Sequence, residues 1–334
     1  MSGKARLGFL GVGWIGRHRM EAMLATGEVE AVGIADPSAK MIGQARILAP
    51  AATQVDDLAG LLDLELDGIV IATPSAMHAE QSIAALERGV AVFCQKPLGR
   101  TTGEVRAVVD AARQADRLLA VDLSYRFTEG MRRIRELIDT GELGRVFAVD
   151  LVFHNAYGPD KDWFYDPALS GGGCVMDLGV HLVDLALWAL DFPAVAGVTG
   201  QLLAGGLPLS QQPGKVEDYA VATIELESGA AIRLACSWRL QAGVDAIISA
   251  SFYGTAGGAS LHNVGGSFYD FAAERYRGTA SETLSSSPDD WGGRAAADWA
   301  RRLGAGHRFD PQSERLVAVS AVLDRIYGRD PDTT

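Results

Sequence analysis

At 334 residues the chain is longer than one ordinary domain, and its 48% hydrophobic and 22% charged residues are normal globular usage, so two domains with separate cores are expected. Its 30 basic and 42 acidic side chains give a net charge of −12 at pH 7. Such a surface repels phosphate backbones and anionic lipid, which sets nucleic acid aside as a partner.

No run approaches the roughly 18 consecutive apolar residues of a membrane span, so no membrane partner is expected. Met-Ser-Gly-Lys-Ala-Arg leads into strand-like residues without a secretory pattern, and the expectation is a cytoplasmic protein. Cys94, Cys174 and Cys236 are too scattered for a disulfide framework or a C-x-x-C metal site and are read as reduced thiols.

From the start to residue 122, short apolar runs rich in β-formers alternate with helical stretches. Strands are expected at Ala5–Leu10, Val29–Ala35, 53–55, 68–72, 90–94 and 118–122, the pattern of consecutive βαβ units in a doubly wound α/β domain with a parallel sheet. Thr101 followed by Glu104 is a capping box opening the helix after Gln95-Lys96-Pro97. Residues 123–334 read as an α+β domain. Helices fall near 130–140 and 175–190, and strand-like runs at 146–154, Tyr219–Leu226, 231–240 and 246–253, several with Gly or Ser turns between them, imply an antiparallel sheet. Residues 281–290 read as a polar loop, and 312–327 as a C-terminal helix with Leu316, Val319, Leu323 and Ile326 on one stripe. Arg132, Arg133 and Arg135 lie at helical spacing and read as a solvated face.

Gly11-Val12-Gly13-Trp14-Ile15-Gly16 fits G-x-G-x-x-G directly after the first strand and before a helix. Gly11 permits the tight turn, Gly13 lets the backbone approach a pyrophosphate, and Gly16 lets the helix pack on the strand while its first N–H groups face the anion. Trp14 and Ile15 sit in the same loop. Asp36 follows Gly16 by 20 residues, at the end of the second strand, where a carboxylate accepts from the adenosine ribose hydroxyls. A 2′-phosphate would meet that charge with only Pro37, Ser38 and Ala39 following, so NAD is expected as cofactor and NADP is less favoured. A turn cap before Pro37 is the plainer reading of Asp36.

On a helix over 175–190, Asp177 and His181 are four residues apart and share a face that Asp184 continues. Met176, Leu178, Val180, Leu182, Val183, Leu185, Leu187 and Trp188 make the rest strongly apolar, implying a buried helix whose polar stripe faces a cavity. The plain alternative makes His181 a core histidine bonded to Asp177 or Asp184. Gly171, Gly172 and Gly173 would bring backbone close to cofactor or substrate. A zinc site from His181, Asp177 and Cys174 matches no common spacing, and no metal is expected. The loop over 152–167 carries Asn155, Tyr157, Asp160, Lys161, Asp162, Trp163, Phe164 and Tyr165. Aromatic faces suit the apolar side of a sugar ring and the polar groups its hydroxyls, although a protein contact would use the same residues.

The glycine loop, Ala72-Thr73-Pro74 with His78, Gln95-Lys96-Pro97, Tyr125-Arg126-Phe127, the segment from Gly141 to Val146 and Gly-Gly-Gly-x-x-x-Asp-x-Gly-x-His at 171–181 occur in one order along nearly the whole chain. In this the sequence resembles the glucose-fructose oxidoreductase, inositol dehydrogenase and MocA family. The resemblance implies an N-terminal Rossmann domain over 1–122, a C-terminal domain over 123–334 with a large open antiparallel sheet, and redox chemistry on sugars, polyols and related alcohols. It implies self-association through that sheet as a homodimer or homotetramer. It matches Lys96, Asp177 and His181 to catalytic positions, and gives Thr73, Pro74, His78, Gln95, Lys96 and Arg126 as candidates for the cofactor. For substrate the candidates are Lys96, Tyr125, Asn155, Trp163, Asp177 and His181. Many members read Glu-Lys-Pro where this chain has Gln95-Lys96-Pro97, and Gln keeps hydrogen bonding but loses the carboxylate.

Oxidising a secondary alcohol with NAD needs a hydride to leave carbon while a base takes the hydroxyl proton. Histidine suits the proton step near neutral pH, and Lys96 donates to the developing alkoxide. An NAD-using glycoside hydrolase of this fold and a non-catalytic dinucleotide-binding regulator are the competing readings; the joint presence of Lys96, Asp177 and His181 argues against the second.

Overall fold

The computed structural model describes residues 3–333. Its first elements are β1 (Ala5–Leu10), α1 (Trp14–Leu24), β2 (Val29–Ala35), α2 (Ala39–Leu48), β3 (Thr53–Gln54), α3 (Leu58–Leu62), β4 (Gly68–Ile71), α4 (Ser75–Glu87), β5 (Ala91–Cys94), α5 (Thr102–Ala115) and β6 (Leu119–Val121). The six strands form a parallel sheet in the order β3-β2-β1-β4-β5-β6. Every residue of β4 and β5 is buried, as near-continuous apolar strands are when helices cover both faces. The strand order reverses between β1 and β4, the switch point outside whose carboxyl ends open α/β sheets take their ligands. At α5 the hydroxyl of Thr101 accepts from Glu104 N at 3.2 Å, but Glu104 reaches back to Arg100 N at 2.7 Å, so the capping box closes one residue earlier than the motif implies.

Then come α6 (Glu129–Asp139), β7 (Val146–Asn155), α7 (Pro167–Ser170), a π-helical turn (Val175–Gly179) and α8 (Val180–Ala189). Eight strands follow: β8 (Val195–Ala204), β9 (Leu207–Pro208), β10 (Tyr219–Leu226), β11 (Ala231–Ser237), β12 (Ala246–Gly254), β13 (Gly258–Asn263), β14 (Phe271–Arg277) and β15 (Ala280–Ser285). The helices α9 (Arg294–Gly304) and α10 (Arg315–Ile326) complete the described chain. Strands β7 to β15 form one sheet in the order β15-β14-β13-β12-β7-β11-β10-β8-β9. It is antiparallel except at its centre, where β7 and β11 run parallel. Those two are far apart in sequence, and no hairpin fixes their direction. Alternating burial along β7 and β10 marks one face as core and the other as open. On the core face α6 packs on β13, β14 and β15, and α8 on β7, β11 and β12.

Several expectations change. The polar loop at 281–290 begins as part of β15, an edge strand exposed over most of its length, which explains its polarity. The strand expected to reach residue 240 ends at Ser237: Trp238 N still bonds Asp218 O in register, but Arg239 then takes a left-handed φ of 58° that breaks the extended backbone. Strand β8 is mostly exposed or half-buried and shows no clean alternation, and α9 is an Ala-rich helix between glycines. The helix expected at 312–327 starts with a 3-10 turn, Pro311–Glu314, before α10.

The chain forms two compact units, one made of the chain up to Asp122 with Gly293–Val317, the other of Leu123–Gly292 with the chain from Ala318 onward. The second domain therefore does not run unbroken from 123 to 334. In the first unit, Trp299 of α9 packs against Phe93 of β5 with ring centroids 5.7 Å apart.

Candidate active site

In the first unit, β1 ends at a turn for which glycine is required. Gly11 has φ of 82°, and a Cβ there would lie 2.5 Å from Ala72 O; one at Gly16 would strike the main-chain oxygen of Gly11. Gly13 begins α1 without any side-chain cap bond, so no side chain caps the N–H groups that open this helix. The close-packed glycine turn and this uncapped helix start fit the pyrophosphate of a dinucleotide. Trp14 is exposed beside Ile15 and stacks on His18 at 6.1 Å. Asp36 Oδ2 accepts from Val12 N at 2.8 Å and its Oδ1 from Ser38 N at 2.8 Å. The carboxylate is thus a turn cap as well as a ribose candidate: Oδ2 is fixed to the glycine loop and Oδ1 to the turn after β2, and each keeps a lone pair for a hydroxyl donor.

At the end of β4, Thr73 donates its hydroxyl to Gln81 Oε1 at 2.6 Å, and Pro74 sits at the start of α4. His78 does not meet its expectation as a cofactor contact. Its ring is buried, with Nε2 2.8 Å from Thr73 O and Nδ1 2.7 Å from Pro97 O. It is a strut joining the loops after β4 and β5. Desolvation is the main cause holding its pKa below the ordinary value, against the pull of the two carbonyls.

Gln95 Nε2 donates to Asp122 Oδ2 at 2.6 Å, the same oxygen that takes Arg19 Nε at 2.6 Å. The amide in place of a carboxylate is therefore locally consistent, because a buried acid already stands beside it. From Ala91 to Gly99 every residue is buried except Lys96, which stays partly open to solvent.

In the second unit the helix expected to carry one polar stripe begins as a π turn, which shifts the register between Asp177 and the α-helix beyond. From Val175 to Ala189 only Asp177, His181 and Trp188 are partly exposed. Asp184 does not continue the stripe into a cavity. It is buried and clasped by Arg126, whose Nε lies 2.6 Å from Oδ2 and whose Nη2 reaches Oδ1; burial pushes the Asp184 pKa up against that partner. Arg126, also stacked 5.5 Å over Phe192, is held as the counter-ion of Asp184. Tyr125 brings the remaining groups together, its ring centroid 4.9 Å from His181, 4.8 Å from Trp291 and 6.1 Å from Phe153. Desolvation and then the charge of Asp177 push its pKa up, so its hydroxyl keeps its proton.

Asp177 Oδ2 accepts from Trp238 Nε1 at 3.0 Å. Phe164 and Tyr165 pack edge-on against Trp238 at 6.3 and 5.6 Å, and Trp163 stacks on Phe164 at 3.8 Å. The aromatic loop is thereby tied to Asp177. Asn155 Oδ1 accepts from Tyr157 N at 2.7 Å, so the oxygen expected for substrate closes a local turn. Gly172 and Gly173 pack closely on the protein itself, since a Cβ on either would strike Tyr327 or Glu217. Cys174 Sγ, considered for zinc, lies buried 3.8 Å from Cys236 Sγ. Trp238 and Glu217 escaped sequence reasoning; the acidic pair Glu217-Asp218 opening β10 was the one local signal.

Residues 5–123 match the model of an oxidoreductase family with an NAD-binding Rossmann fold, and residues 131–260 that of the GFO/IDH/MocA C-terminal domain. Among curated proteins, D-glucoside 3-dehydrogenase of Escherichia coli K12 is 30% identical over 275 residues, 78% of either chain. Among solved structures, GenD2 from gentamicin A biosynthesis in complex with NAD superposes with a TM-score of 0.81 at 26% identity, covering 100% of this chain and 96% of its own. Levoglucosan dehydrogenase in complex with NADH and levoglucosan does so with 0.84 at 20% identity, covering 99% and 98%. With both of its domain models matched in order and this relative aligned over most of its length, the chain belongs to the Gfo/Idh/MocA family of NAD-binding oxidoreductases.

Proposed function

We propose that the protein is an NAD-dependent dehydrogenase of a secondary alcohol on a sugar or cyclic polyol. What supports the reading most is the exposure pattern of the 175–189 segment: in a buried apolar helix the side chains left partly open include the acid and the histidine that proton chemistry needs. NAD, held by the glycine loop with Asp36 at the ribose, would supply the hydride acceptor. His181 takes the hydroxyl proton, Lys96 donates to the same oxygen as charge develops on it, and Asp177, oriented by Trp238, accepts from a substrate hydroxyl. The aromatic surface of Trp163 and Tyr125 covers the ring's apolar side.

NAD is favoured over NADP because the Asp36 carboxylate would face a 2′-phosphate. Self-association through the sheet belongs to the same reading. On the open face Ile247 lies opposite His154, Tyr253 opposite Ala148, and Val152 opposite Ala235, which in turn lies opposite Val221. This leaves apolar surface, including exposed Ile247 and Tyr253.

The test is a panel of methyl glycosides, free sugars, inositols and sugar acids with NAD and NADP, followed at the NADH absorbance. Steady NADH production from a polyol or sugar is expected. A burst of reduction without net NADH release would assign the fold to hydrolysis instead, and no reduction with any of them would leave the dehydrogenase reading without support.

A further inference from the structure

Behind the turn that bears Asp177 lies a buried acid with no part in the chemistry above. Glu217 has 0% exposure. Its Oε1 accepts from Gly173 N at 2.9 Å, Val175 N at 2.9 Å and the Tyr327 hydroxyl at 2.7 Å, while Oε2 accepts from Gly173 N at 3.0 Å. Its main-chain oxygen takes Cys174 N at 3.0 Å. The peptide held in this way is one bond from the site: Gly173 O accepts from Asp177 N at 3.0 Å. Arg329, 4.4 Å above the Tyr327 ring, donates to Gly171 O at 2.9 Å and closes the clasp. The glycines are its counterpart, because a Cβ on Gly172 or Gly173 would occupy the space of the Tyr327 hydroxyl or the Glu217 main chain.

We propose that Glu217, with Tyr327, is a positioning residue that fixes the backbone entering the π turn and so the orientation of Asp177 and His181. This rests on the roles given above to those two side chains. The first N–H groups of a helical segment have no acceptor within it, and in a buried site each must find one elsewhere or carry its desolvation cost. Glu217 supplies that acceptor for Gly173 and Val175 at once. The geometry calls for an oxygen with three donors at the Oε1 place, where burial pushes the carboxyl pKa up despite those donors; Gln with its oxygen there keeps all three but sets its amide N–H group 3.0 Å from Gly173 N, where Oε2 now accepts.

The experiment uses the full chain with Glu217→Ala, Glu217→Gln and Tyr327→Phe, beside Asp177→Asn and His181→Ala. Amide hydrogen exchange of the peptide spanning 171–181 needs no substrate, and the best alcohol from the panel above gives kcat and KM. Glu217→Ala is expected to speed exchange of that peptide at least tenfold with little change in the first unit, and to lower kcat by about 10- to 100-fold with the NAD Kd within about twofold. Tyr327→Phe should lose about 3- to 10-fold in kcat, and Glu217→Gln, which keeps the Oε1 acceptor but not Oε2, should recover part of what Ala loses. If Glu217→Ala does not fold, Tyr327→Phe decides by the same two readouts. Folded variants with wild-type exchange at 171–181 and wild-type kcat, while Asp177→Asn and His181→Ala are inactive, would overturn the positioning role alone. Full activity in Asp177→Asn and His181→Ala would overturn the functional reading beneath it, whatever Glu217 does.

Discussion

Trp238 donates its indole N–H to Asp177 Oδ2 at 3.0 Å, so an aromatic residue just past the end of β11 aims a carboxylate on the π turn. A hydrogen bond to a charged group contributes about 1.5 to 3 kcal/mol, and roughly 1.4 kcal/mol is a factor of ten in rate. Trp238→Phe keeps the ring packing against Phe164 and Tyr165 and removes the donor. We expect kcat/KM to fall about tenfold or more with NAD affinity retained, and a variant with wild-type kcat/KM would show that Asp177 needs no such orientation.

The direct actors should lose far more. Lys96→Met and His181→Ala are each expected to lower kcat by about two to four decades while NAD binding, measured by fluorescence titration, changes little. Since only a neutral imidazole accepts the proton, wild-type alcohol oxidation should accelerate as pH rises, and the double variant should lose much less than the product of the two single losses. Near wild-type turnover in either single variant would return that side chain to structural packing.

The neighbourhood of Gln95 gives a pH-dependent test. Glu in its place would put a second carboxylate against Asp122 Oδ2, now 2.6 Å from Gln95 Nε2. One acid of such a pair has its folded pKa raised, so its stabilising contribution is present at low pH and lost as pH rises through that value. Gln95→Glu should therefore be destabilised by about 1 to 3 kcal/mol in urea at pH 7 and by clearly less near pH 4.5. A penalty independent of pH would contradict the carboxylate-pair argument.

His78 works in the opposite direction. Its folded pKa is depressed below 6.5, so the unfolded chain takes up a proton there that the folded chain refuses. The stability it permits is present above the unfolded value and lost as pH falls through the window beneath it. Thermal melts between pH 7 and 5 should show Tm declining more steeply for wild type than for His78→Gln. Parallel declines would mean that His78 does not govern this limb.

If the open sheet face carries self-association, Ile247→Asp should convert a dimer or larger assembly into monomers in analytical ultracentrifugation while leaving the far-UV spectrum intact. A wild-type protein that sediments as a monomer at micromolar concentration would refute the interface.

Local signals in the sequence were sufficient for the parallel sheet and its glycine loop, because each βα unit announces itself through short-range patterning and the G-x-G-x-x-G turn works on a few consecutive backbone groups. They also marked Asp177 and His181, since an isolated polar residue in an apolar run stands out without coordinates, whereas Lys96 and the catalytic roles of all three rested on the family resemblance. Long-range pairing decided the rest. Only tertiary structure could bring Glu217 and Tyr327 to the glycines at 172 and 173, place Trp238 on Asp177, hand Arg126 to Asp184, and make His78 a buried strut. Apart from the His78–Thr73 contact, those contacts join residues from 19 to more than a hundred positions apart, and a buried polar group is satisfied by whichever donor or acceptor the packing delivers, a choice that a short window of sequence does not contain.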